Sequence, residues 1–209
     1  WHYGGMANLS YEQGGLSLKG GLHAYRFDRR NWEANLPDNS VTIYDDSSRK
    51  EEVSAFVKGS YTTGRATFFA DVQLRTLRMQ FFSDNRFIGE GAEIPNYDYT
   101  FLNPKAGVNV RLLGKTQHSR HWLAAYASFG RTGREPTKFD IFGGNTRLDS
   151  SNLRFVQDVE TIRPEFVNDF EAGLRWALNQ PQSQFSGQLN LFWMDFQDEI
   201  APIGERVVF

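Results

Sequence analysis

Along most of this chain, apolar and polar residues alternate with a period of two, and the segments joining the alternating stretches are by turns short and long. In Phe170 to Leu178, residues Phe170, Ala172, Leu174, Trp176 and Leu178 share one face of an extended strand, and Glu171, Gly173, Arg175 and Ala177 the other, because successive strand side chains point to opposite faces. Ala66 to Arg75 divides the same way, with Ala66, Phe68, Ala70, Val72 and Leu74 opposite Thr67, Phe69, Asp71, Gln73 and Arg75, and so does Ala106 to Leu112. Leu16 to Ala24, Val53 to Tyr61, Trp122 to Arg131 and Phe185 to Phe196 follow less cleanly. The pattern predicts about eight strands, with a ninth beginning near Arg206.

The joining segments near Gln13 to Gly15, Thr62 to Arg65, Gly114 to Arg120 and Asn179 to Gln184 carry Gly, Asn, Gln, Ser or Pro, the residues of hairpin turns. Between them lie long polar segments at about Asp28 to Lys50, Phe81 to Thr100 and Thr132 to Arg163, and a shorter one near Gln197 to Gly204. An up-and-down antiparallel sheet places every second connection at the same end. The pattern therefore predicts one end of tight turns and one of elaborate loops, the asymmetry of transmembrane β-barrels. A propeller would carry an internal repeat of fixed period, and the sequence has none.

Composition narrows the alternatives. Hydrophobic residues make up 40% of the chain, with no run of about 18 that could cross a bilayer as a helix. A barrel strand turns an apolar residue to lipid only at every second position, so this modest content is compatible with a strand-built membrane protein. The 23 basic and 25 acidic residues leave a net charge of −2 without long blocks of either sign, which argues against a nucleic-acid partner. The absence of cysteine excludes thiol catalysis and zinc-thiolate sites. Aromatic residues reach 15%. Tyr25, Tyr61, Trp122, Tyr126, Phe129, Trp176, Phe192 and Trp193 fall at strand ends or mid-strand, and those at the ends could form interfacial girdles. Aromatics favour any strand, however, and alternation alone does not say which face points out. A soluble all-β binding module thus stays open.

Several phrases resemble the barrel of TonB-dependent outer-membrane receptors. VSAFVKGSYTTGRATFFADVQLR (53–75) is similar to a hairpin of that family, and TFLNPKAGVNVRL (100–112) to the strand after its next external loop. YASFGRTGREPTKFD (126–140), RPEFVNDFEAGLRW (163–176) and LNLFWMDFQDEIAPIGE (189–205) follow in the family's order. The resemblance implies an all-β, antiparallel up-and-down transmembrane barrel of about 22 strands, filled by an N-terminal plug domain. Residues 1–209 are then expected to be a partial barrel domain, an internal segment with Phe209 as a truncation point, since neither a plug nor a TonB box is found. The implied location is the Gram-negative outer membrane. The implied partners are TonB, acting through the plug, outer-membrane lipid, and a scarce large ligand such as a ferric siderophore, haem or cobalamin. An oligosaccharide importer is the alternative within the same scaffold.

Candidate residues follow from the same placement. Tyr97, Asp98 and Tyr99, with Arg131, Arg134, Asn145 and Arg147, would offer aromatic faces and guanidinium forks at the mouth. The competing expectation is that the arginines hold the loop base through ion pairs with acids such as Glu135, and that the tyrosines pack against loops. Lys58, Asp71, Arg75, Arg111 and Arg175 are expected to face the lumen and the plug, as are Gln73, Gln188 and Asn190. Gly130 and Gly133 are expected to let the backbone turn at the top of a strand, and Pro136 to end sheet pairing. No HExxH or GxSxG arrangement is present, so neither catalysis nor a cofactor is expected.

Overall fold

The computed structural model describes residues 1–145 and 147–200, with the side chain of Asn85 left aside. The ninth strand expected near Arg206 and the end at Phe209 lie outside the described residues. The described residues form one antiparallel 8-stranded sheet whose spatial order is its sequence order. The strands are β1 (His2–Gln13), β2 (Leu16–Ala34), β3 (Thr42–Thr63), β4 (Ala66–Ser83), β5 (Tyr97–Leu113), β6 (His121–Arg134), β7 (Glu165–Gln180) and β8 (Ser183–Gln197). Two one-turn helices, α1 (Asn85–Ile88) and α2 (Lys138–Ile141), and a 3-10 turn at Leu153–Phe155 lie in the connections.

The tight turns fall at one end. Gly14 and Gly15 join β1 to β2 with φ of 55° and 86°, and Gly64 opens the next such turn at φ 56°. Positive φ at these positions matches the hairpin's twist to that of its strands. The opposite end differs from the sequence expectation, because the strands run further than their apolar stretches. β2 and β3 stay paired from Arg26↔Glu51 through Asp28↔Arg49 to Trp32↔Asp45, so their connection shrinks to 35–41. β5 already begins at Tyr97. Beyond the apolar zone, cross-strand ion pairs such as Arg49 Nε–Asp28 Oδ1 (2.8 Å) and Arg78 Nε–Asp98 Oδ1 (2.7 Å) take over from apolar contacts. Charge there marks water on the strand's face; it does not mark the end of the strand.

Register assigns every strand residue to a face. On the outer face of β4, Ala66, Phe68, Ala70, Val72 and Leu74 give way to Thr76 and then Arg78. The partners in the same rows are Val53, Ala55 and Val57 on β3 and Leu102, Ala106 and Val108 on β5. At about 3.3 Å per residue the stretch Ala66–Thr76 is roughly 33 Å long, and a strand tilt of about 40° reduces its height to roughly 25 Å, the apolar band of a transmembrane barrel. Its upper border carries a row of rings on three strands. Phe129 meets Phe170 at 4.8 Å between centroids, and Phe170 stacks on Trp193 at 5.5 Å. Directly above that row lie Arg131, Asn168 and Asp195. Of the other aromatics considered for a girdle, Tyr61 and Trp176 share this outer face, whereas Tyr25, Trp122, Tyr126 and Phe192 fall on the inner one.

The buried core is elsewhere. Leu77, Met79, Phe81, Tyr97, Tyr99 and Phe101, all at the loop end of the inner face, pack with Ile88, Ile141, Phe142, Leu148 and Ile162 of the connections. This cluster, and not the most apolar strand segments, is where the fold excludes solvent by packing on itself.

Candidate functional site

The site is the inner wall at the loop end, together with the β6–β7 connection folded onto it. That connection starts where Pro136, lacking an amide hydrogen, stops sheet pairing after β6. Thr137 and Asp140 then form a reciprocal cap: the Asp140 amide donates to Thr137 Oγ1 (3.3 Å) and the Thr137 amide to Asp140 Oδ2 (2.7 Å). The resulting turn of helix aims Ile141 and Phe142 at the sheet, where Phe142 meets Phe81 edge-on at 5.0 Å. Further along, Tyr97 donates its hydroxyl to the carbonyl of Gln157 (2.5 Å) and Tyr99 to that of Ile162 (3.4 Å). The Leu148 amide donates to Asp46 Oδ2 on β3 at 3.2 Å.

A charged knot ties the base of the connection to the wall. The Arg75 guanidinium donates to Glu52 Oε2 (2.8 Å) and sits 2.8 Å from Glu135 Oε2; Lys50 Nζ reaches Glu135 Oε1 (2.5 Å), and Tyr25 donates to Glu52 Oε2 (2.9 Å). Burial alone would push the Glu135 carboxyl up, but the hydrogen bonds from Arg75 and Lys50 outweigh it and hold the group at about 2. Lys138 behaves oppositely. Burial lowers its ammonium below the ordinary value, and Asp46 Oδ2, at 3.9 Å, offsets only part of that.

The structure places the sequence candidates unequally. Tyr97 and Tyr99 are buried as anchors of the connection, which is the packing role. Asp98 lies on the outer face, paired with Arg78. Arg131 stacks 4.6 Å from the Phe166 ring centroid and borders the same cleft as Asp71 and Lys105. Arg134 pairs with Glu165 at 2.8 Å, and Arg147 lies 3.9 Å from Glu33 while facing the Tyr44 ring. Asn145 donates to the Phe142 carbonyl at 2.8 Å, closing a turn. Gly130 and Gly133 do not turn the backbone, because both lie within β6, opposite Asp169 and Phe166. A Cβ on Gly133 would sit 2.3 Å from the Phe101 ring, so glycine there permits close packing.

The residues expected to face a lumen lie together on one face of the sheet. Lys58, Asp71, Arg75, Arg111 and Arg175 share the inner face, with Gln73, Gln188 and Asn190. Arg75 is engaged in the charged knot, and Arg111 donates to the Lys115 carbonyl (2.8 Å) at the tight-turn end. Arg175 stacks 4.5 Å from the Tyr126 ring centroid. Lys58, Asp71 and Lys105 follow one another in a single cross-strand row. Asp71 and Lys105 border a cleft of about 330 Å³ with Gln73, Asn103, Thr132 and Asp169. Among the described residues, no carboxylate lies within ion-pair distance of Lys58 or Lys105. These groups remain open to whatever occupies the interior.

Sequence reading missed the acceptors Glu52 and Asp46 and the apolar underside formed by Ile141, Phe142, Leu148 and Ile162. The usable signal was the run KFDIF (138–142), too apolar for a segment standing free in water. Among the described residues, no three His, Asp or Glu side chains converge to hold a metal ion.

An apolar band of bilayer height on one face, polar groups on the other, tight turns at one end and a long connection folded inward at the other define part of the wall of a membrane β-barrel. A family model described as "TonB dependent receptor-like, beta-barrel" matches residues 2–208, and the chain belongs to that family. Among solved structures, it is similar to a copper transporter, OprC, with a TM-score of 0.59 and 15% identity over 91% of this chain and 29% of that one. It is also similar to the ferric-catecholate import receptor Fiu from E. coli K12 in its closed form, with a TM-score of 0.55 and 13% identity over 96% of this chain and 36% of that one. The chain therefore spans about a third of such receptors. No curated protein matches it by sequence.

Proposed function

We propose that residues 1–209 are a partial barrel domain of an outer-membrane receptor that imports a scarce large ligand in a TonB-dependent manner. The observation that carries this reading is the division of the sheet into an apolar face of bilayer height, bordered by the Phe129, Phe170 and Trp193 rings, and an inner face where Lys58, Asp71 and Lys105 make no ion pair among the described residues. A soluble module would turn its apolar face inward. Here the only internally packed cluster among the described residues lies on the other face, beneath the β6–β7 connection.

In this reading TonB acts through a plug domain, and the open polar groups of the inner wall engage that plug. Structural likeness to a copper transporter and a ferric-catecholate receptor favours a metal or metal chelate as cargo; a ferric siderophore, haem and cobalamin belong to that class. The groups presented to the ligand are the remaining polar atoms of the mouth, including those of Arg134, Asn145 and Arg147. The protein's part is binding and conduction, without bond chemistry.

The test uses the full-length receptor and a strain lacking it. Loss of uptake of radiolabelled ferric siderophore, haem, cobalamin or copper, together with slower gel migration after heating, is the expected result. A full-length protein that remains folded and monomeric in buffer without detergent would sink the reading.

A further inference from the structure

We propose that the β6–β7 connection is a fixed strap lining the inner wall at the mouth, and that it stays seated while other segments open and close the passage. A long external loop invites the opposite assumption, because loops are commonly the mobile, ligand-gathering parts of a scaffold. The attachments of this one argue against motion. They recur along its length: Glu135 to Arg75 and Lys50, Ile141 and Phe142 to the Phe81 side of the sheet, Leu148 to Asp46, the Gln157 carbonyl to Tyr97 and the Ile162 carbonyl to Tyr99.

Two further bonds knit the strap to itself and to its neighbour. The Ser150 amide donates to the Phe87 carbonyl in the β4–β5 connection (2.7 Å), and the Gln157 amide to the Ile141 carbonyl (2.8 Å). Lifting the strap as a unit would expose Ile141, Phe142, Leu148, Ile162 and the rings of Tyr97 and Phe101 to water, and would take the Glu135 carboxylate away from Arg75 and Lys50.

The connection between β2 and β3 makes the contrast. Its bonds are local: the Asn35 amide to the Val41 carbonyl, the Asn39 amide to the Asn35 carbonyl, and the Ser40 amide to Asp38 Oδ1. Leu36 and Val41 there are exposed. This segment is held by its own turn, whereas the strap is held to the sheet at points along its length.

The inference rests on the family's placing of this face inside the barrel, but its test needs no ligand, so its failure and a failure of the transport reading are separable. Hydrogen exchange of the full-length receptor in nanodiscs should show amides in 141–145 and 148–157 exchanging at least about 100-fold more slowly than those in 36–41. The double variant Tyr97→Phe and Tyr99→Phe should speed exchange in 157–162 about tenfold while leaving amides of 66–76 unchanged. Exchange in the strap as fast as in 36–41 would overturn the proposal. So would a broad or two-peaked distance distribution between spin labels placed at Phe155→Cys and Val53→Cys, because a seated strap gives one narrow peak.

Discussion

Two regions of the same strands are stabilised by different solvents. Between Ala66 and Leu74, β4 turns its apolar residues outward, and Phe68, Val72 and Leu74 stay about half exposed among the described residues. Between Leu77 and Phe81, the same strand turns its apolar residues to the inner face, and Leu77, Met79 and Phe81 are buried under the strap. The apolar stripe changes faces near Thr76. Below that point bilayer lipid is the apolar phase, so no protein contact is needed. Above it both faces meet water, and apolar side chains must find protein partners on the side where the strap lies. The exposed apolar band and the buried cluster are therefore the same chemistry in two environments.

Breaking the upper region should have the largest effect. Phe142→Ala removes a buried ring from the strap cluster and should destabilise the strap by about 3–5 kcal/mol, read as faster exchange across 135–164 with the apolar band unaffected. In the lower region, Val72→Arg places a charge against lipid near mid-bilayer. It should cost about 2–4 kcal/mol in a reversible urea titration of the full-length barrel in lipid, whereas Arg78→Leu, just above the border, should cost far less.

Glu135→Gln sharpens the comparison through pH. The folded carboxyl sits at about 2, below its ordinary value of 4.5, so the stability it contributes is complete above about 4.5 and is lost as pH falls toward 2. Its size is on the order of 2–3 kcal/mol. Strap exchange in the native receptor should accelerate across that window, and in Glu135→Gln it should be fast already at neutral pH and nearly flat below 4.5. The smallest effect belongs to the exposed outer ladder: a double-mutant cycle on Arg78 and Asp98 should give under about 1 kcal/mol. A coupling several times larger would mean that this face is shielded from water and that the border drawn at Thr76 is too low.

Much of the fold was legible because period-two alternation is a local signal. Phe170 to Leu178 and Ala66 to Arg75 announce their faces without any knowledge of neighbours, and Lys58, Asp71, Arg75, Arg111 and Arg175 share the face opposite the apolar band. The extensions of β2 and β3 were hidden because Arg26, Asp28, Arg49 and Glu51 resemble loop residues until they stand opposite one another. Tyr97 and Asp98 show the same limit. Adjacent in sequence and alike as candidates, they point to opposite faces, one into the strap and the other into water.

The sequence by itself determined the eight strands of the described residues, the division of each strand into two faces, which end carries the long connections, and through ordered similarity the family. All of these depend on neighbours within a few residues or on the order of such stretches. Only the tertiary structure decided where the long connection goes. Glu135 meets Arg75 across 60 positions and Leu148 meets Asp46 across 102, and no local pattern encodes a contact at that separation. The KFDIF run carried the physical reason all the same, since an apolar underside must leave water and the inner wall at the mouth is the surface within its reach.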